Sequence, residues 1–179
     1  MKEKCVIKRS CSFYISDMHF ATMLMPFIKK QVENKINVTT FLENNYSNNI
    51  ELVLARMKLQ EEQKKQILNI NWKENKNNKY SNIDKLLKNN ILKGKENVII
   101  INGKKEYLEI INDMVRKFLD KNSKKYEDTT IFIMDFYEVG TFNENITEIL
   151  NKHEFIFNTS GEHKIEDVFE RNISEAKVN

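Results

Sequence analysis

The chain has 179 residues, 40% hydrophobic, 31% charged and 10% aromatic, proportions that fit a globular fold with a real core and argue against disorder. Its 29 basic and 26 acidic residues leave a net charge of +3, too little for the overall field to steer a polyanion, so any such contact needs a local patch. Cys5 and Cys11 have no second pair elsewhere, which excludes a four-cysteine zinc site and a disulfide framework, and no apolar run approaches the ~20 residues of a membrane span.

CSFYIS, residues 11–16, is the first expected strand, and it runs straight into DMHFATMLMPFIKKQVEN. There Phe20, Met23, Leu24, Phe27, Ile28 and Val32 recur at three- and four-residue spacing, which describes one buried helix face. Ser16 or Asp17 supplies the cap, and Pro26, which removes a backbone donor, predicts a kink or local break. INVTTFLE, residues 36–43, is rich in β-branched residues and reads as a second strand, after which Ile50, Val53, Leu54 and Met57 mark the apolar side of a helix. The alternation in QILNINW, residues 66–72, predicts a third strand. Residues 73–97 are Lys- and Asn-rich and read as a flexible segment with a short helix over 81–89.

VIIING, residues 98–103, is almost wholly apolar, as a strand buried on both faces should be. A helix follows with Tyr107, Ile110, Ile111, Met114, Val115 and Phe118 as its stripe, then a strand over 129–139 and a helix over 143–153 capped by Asn143. A strand over 154–160 and an amphipathic piece over 164–173 close the chain. Strands alternating with helices throughout define one α/β domain over residues 1–179: three layers, a mostly parallel sheet with helices on both faces.

Ligands of such sheets bind beyond the carboxyl ends of the strands. The residues just past the expected strands give a candidate ligand-binding rim of Asp17, His19, Trp72, Asn102, Lys104, Asp135 and Glu138, with Ser160 and Gly161 after the last strand. IFIMDFYEVG, residues 131–140, resembles the acidic strand of a nucleotide-hydrolysing P-loop domain. A phosphate loop, however, needs the spacing G-x-x-x-x-G-K-[ST], so that backbone amides wrap the phosphates. Gly94, Gly103, Gly140 and Gly161 supply no such pair, and CSFYISDMHF stands where the loop would be, so neither P-loop hydrolysis nor a cofactor is expected.

Softer signals carry two readings each. NGKKE, with Gly103, Lys104 and Lys105, is either a helix start that holds an anion or a turn with surface lysines. Asp17, His19, Asp135 and Glu138 are a metal or acid–base set if their strands adjoin, the alternative being that Asp135 turns the chain. His153 ends a helix, where a cation complements the dipole. Between Lys73 and Lys95 seven lysines face two acids, so Lys76, Lys79 and Lys88 are candidates for nucleic-acid contact, against a solvated loop.

With these elements placed, CSFYISDMHFATMLMPFIKKQVENKINVTTFLE and MDFYEVGTFNENITEILNKHEFIF resemble the opening and closing parts of the MEDS (methanogen/methylotroph sensory) domain; residues 72–95 have no clear counterpart. The resemblance implies a P-loop-NTPase/RecA-like fold without a Walker A motif, and a non-catalytic sensory or regulatory role in signalling, with a small-molecule or protein partner. Asp135 and His153 are the positions to examine first. The lysine-rich start lacks the apolar stretch of a signal peptide, so the expected location is the cytoplasm.

Overall fold

A computed structural model of the chain describes residues 4–75, 82–140 and 146–169. Six strands and seven helices appear among them: β1 (Val6–Tyr14), α1 (Asp17–Glu33), β2 (Asn37–Leu42), α2 (Ser47–Leu54), α3 (Glu61–Leu68), α4 (Ile83–Asn90), β3 (Glu96–Gly103), α5 (Lys105–Lys121), β4 (Thr130–Glu138), α6 (Ile146–Asn151), β5 (Phe155–Asn158), β6 (Gly161–Lys164) and α7 (Ile165–Val168). They form one sheet in the order β2-β3-β4-β1-β5-β6, parallel except that β6 runs against β5. The expected α/β architecture with a mostly parallel sheet is therefore present. No described helix is long and apolar enough to cross a membrane.

The two-residue period of the strands divides the core. On β4, Ile131, Ile133 and Tyr137 point toward α5, while Met134 and Phe136 point toward α1. One layer joins α1, α2 and α3 through Phe20, Leu24, Ile28, Ile50 and Ile67; the other joins α4 and α5 through Leu87, Leu108, Ile111 and Val115, with Ile149 of α6 and Ile165 of α7. Because β1 lies inside the sheet, α1 must carry the chain past β4 and β3 to the far edge before β3 and β4 step back. The chain leaves β1 toward one layer and β4 toward the other, which makes their carboxyl ends a switch point.

α1 starts where the sequence places it: Ser16 caps it by accepting a hydrogen bond from His19 N at 3.2 Å. The expected break at Pro26 does not occur. Pro26 is exposed, and so is Thr22, whose carbonyl loses its helical partner, so water can serve that carbonyl.

The third expected strand is absent, because residues 61–68 form α3 and the chain then turns back on itself. The apparent alternation of QILNINW arises from a helix end followed by a return segment. Trp72 donates its indole N–H to Ile67 O at 2.8 Å, Tyr46 N donates to Trp72 O at 2.8 Å and Asn75 N to Leu42 O at 3.1 Å, so this segment is tied to the β2 side of the sheet. β6, unexpected from sequence, pairs with β5 through a turn in which Asn158 Oδ1 accepts from Ser160 N at 2.8 Å. In the segment expected to be flexible, α4 packs Ile83 and Leu87 into the core. Asn143, the expected cap, lies outside the described residues, as does the end of the last amphipathic piece.

Candidate functional site

The rim predicted from sequence divides between the two faces of the sheet. Tyr14 pairs with Glu138 in register, and Val139 N donates to Tyr14 O at 2.8 Å, which closes the switch-point end of β1 and β4. On the α1 side of this crevice the Tyr14 and Tyr46 hydroxyls meet at 3.2 Å, with Asn102 fully buried beside Tyr14. Burial raises both phenols, the hydrogen bond between them raises Tyr14 further, and the charge of Glu138 pushes both the same way. Asp17 is exposed at the start of α1, and His19 is half-buried, its Nδ1 accepting from Ile15 N at 3.2 Å. Trp72 does not reach the rim: it is buried in the α1-side core with its only polar atom engaged.

No phosphate loop fits here, since Ile15 and Ser16 alone connect β1 to α1. The start of α5, read either as an anion site or as a turn with surface lysines, is occupied by the chain's own carboxylate. Lys104 N donates to Glu43 Oε2 at 2.6 Å, while Lys104 itself extends into solvent. Glu43 can lie there because Gly103 has no side chain; a Cβ at that position would stand 2.6 Å from Glu43 Oε2 and 2.9 Å from the Tyr107 ring.

Asp135 takes the opposite direction. Three residues before Glu138 on a strand, it faces the α5 layer, so the sheet separates it from Asp17, His19 and Glu138. The four residues do not form one metal or acid–base set, and no group of three or more metal-ligating side chains stands together among the described residues.

Asp135 is instead the centre of a buried polar network. Its Oδ1 accepts from Asn112 Nδ2 of α5 at 2.8 Å, and its Oδ2 lies 2.8 Å from His153 Nε2 and 3.3 Å from an Arg9 terminal nitrogen of β1. That Arg9 nitrogen also donates to Asn112 Oδ1. His153 Nδ1 meets Ile149 O at 2.6 Å, closing the last turn of α6. A carbonyl oxygen only accepts, so Nδ1 carries a proton, and a second proton lies between Nε2 and Oδ2 whichever of the two holds it. Both imidazole nitrogens are committed inside the protein.

The network forms the floor of a cleft of about 470 Å³ between α5 and α6, walled by Tyr137 and Ile149 and edged by Lys105, Glu109, Asp113, Arg116 and Lys152. Charges at the edge are paired: Lys152 with Glu148 at 2.9 Å, Lys105 with Glu148 at 3.7 Å and with Glu109 at 3.8 Å, and Asp113 with Arg116 and with Lys117. The Lys152 hydrogen bond lowers the Glu148 carboxyl, and the same bond raises Lys152. Inside, burial and then the Asp135 charge push the Cys11 thiol up to about 12, and the same two causes raise the Tyr137 phenol.

Sequence reasoning missed Arg9 and Asn112. Arg9 fell outside the expected first strand, yet it is two residues before Cys11 and so shares a face with Asp135, the register partner of Cys11. Asn112 follows Ile111 and lies four residues after Leu108 on the buried side of α5, a polar residue at core spacing. Of the lysine candidates, Lys88 is exposed on α4, whereas Lys76 and Lys79 lie outside the described residues. His163 of β6 meets the Ser160 hydroxyl of the β5–β6 turn at 2.8 Å. No protein-family model, no curated protein and no solved structure matches the chain.

Proposed function

We infer that this chain is a non-catalytic sensory or regulatory domain that binds a small molecule in the cleft between α5 and α6, on a P-loop-like, RecA-like frame without the phosphate loop, as the MEDS resemblance implies. The observation that carries this reading is the state of His153: it stands at the floor of a metabolite-sized cleft, yet both its nitrogens are bonded to Asp135 and Ile149 O. A general base must present a nitrogen to its substrate; this one orients Asp135 and Arg9 for binding instead. The two-residue β1–α1 connection and the Glu43 plug on α5 support the same reading, since both occupy positions where a nucleotide phosphate would be held.

Native mass spectrometry of freshly purified protein, followed by a nucleotide-turnover assay, tests it. A retained small molecule lost on denaturation and no turnover is the expected result. Steady hydrolysis of ATP or GTP that disappears in Asp135→Asn overturns the reading.

A further inference from the structure

The charge balance of the same cleft names the class of ligand, on the premise that the proposed binding function is right. Wherever the shared proton lies, Asp135 and His153 together are neutral, so Arg9 leaves the floor with one uncompensated positive charge. Its Nε is buried and has no hydrogen-bond partner among the described residues, although its side chain is 29% exposed and lines the cleft. A buried guanidinium N–H without an acceptor is costly.

The edge adds to this excess. Among the described residues, Lys105, Arg116 and Lys152 stand beside Glu109 and Asp113 in the lining, and including the neighbouring Lys117 and Glu148 leaves the balance unchanged, which with Arg9 makes two positive charges in excess among these residues. Tyr137 and Ile149 supply an apolar wall for a small carbon body.

We propose that the cleft between α5 and α6 binds a small organic oxyanion, its carboxylate or phosphate oxygens drawn by the Arg9 charge at the floor and held by Arg116 and Lys152 at the edge.

Inorganic phosphate and acetate, titrated separately into labelled protein at constant ionic strength with chloride as the reference, test this by NMR. Saturable shifts of the Arg9 Nε–H, the Asn112 side-chain amide and the His153 ring are expected for at least one probe, and the stronger probe identifies the acid group. Arg116→Gln with Lys152→Gln, both exposed at the cleft edge and outside the hydrogen bonds of the buried network, should weaken that binding roughly tenfold, the loss expected for a charge-assisted hydrogen bond. Should Arg9→Gln fail to fold, this double variant still decides the matter. Shifts that follow chloride for both probes, or saturable binding unchanged in the double variant, would sink the proposal. A neutral or cationic ligand retained in native mass spectrometry would also sink it while leaving the non-catalytic reading standing; nucleotide turnover ends that reading whatever the anion result.

Discussion

His153 Nε2 lies 2.8 Å from Asp135 Oδ2 with both side chains shut off from solvent, which joins the end of α6 to the middle of β4. Breaking one side of a buried, hydrogen-bonded pair leaves the other without its partner. Asp135→Ala should therefore cost about 3–5 kcal/mol. His153→Ala should cost less, since Arg9 and Asn112 still satisfy Asp135. Urea denaturation of both variants and of the double variant gives their coupling, and additive losses would show that the contact contributes nothing.

Asn112 bridges Arg9 and Asp135, donating to one carboxylate oxygen and accepting from the guanidinium. Asn112→Ala should destabilise by about 1–3 kcal/mol, the cost of a lost hydrogen bond to a charged, buried group. Asn112→Asp should be worse than Asn112→Gln, because it sets a second carboxylate against Asp135. The order of the denaturation midpoints is the check.

Gly103 admits Glu43 to the start of α5. Gly103→Ala forces the added methyl against the Glu43 side chain and the Tyr107 ring, and about 1–3 kcal/mol of destabilisation is expected. Making the Glu43→Ala change in the same chain should recover part of that loss. No recovery would mean that Glu43 is not the obstacle.

Cys11 is fully buried beside Asp135 and its thiol is pushed up to about 12, from an ordinary value of 9.0. Below pH 9 the thiol is protonated in folded and unfolded chains alike, and folding keeps its full stability. Above it the unfolded chain ionises first, so stability falls by roughly 1.4 kcal/mol per pH unit from this group until the folded thiol also ionises. Cys11→Ala should flatten the fall between pH 9 and 10.5. At pH 8 a small alkylating reagent should modify half-buried Cys5 well before Cys11.

Trp72 is the sole tryptophan and is 3% exposed. Its fluorescence should be blue-shifted in the folded protein and should move red in the same urea transition that circular dichroism reports. A red-shifted native spectrum would place Trp72 in solvent and contradict the packing of residues 66–72.

The sequence by itself determined the elements whose signals are local. The three- and four-residue recurrence from Phe20 to Val32 defined α1, Ser16 capped it, and the apolar run at 98–103 required a strand covered on both faces. Even the separation of Asp135 from Glu138 was legible, since residues three apart on a strand face opposite sides. QILNINW misled because a helix end and a returning segment placed apolar residues on both parities, and only the packing of Trp72 against Ile67 distinguishes that from a strand. The cleft belongs to the tertiary structure alone. Arg9, Asn112, Asp135 and His153 come from four separate elements, and their meeting depends on β1 lying between β4 and β5 and on α5 and α6 sharing one face, long-range pairings that no local pattern encodes.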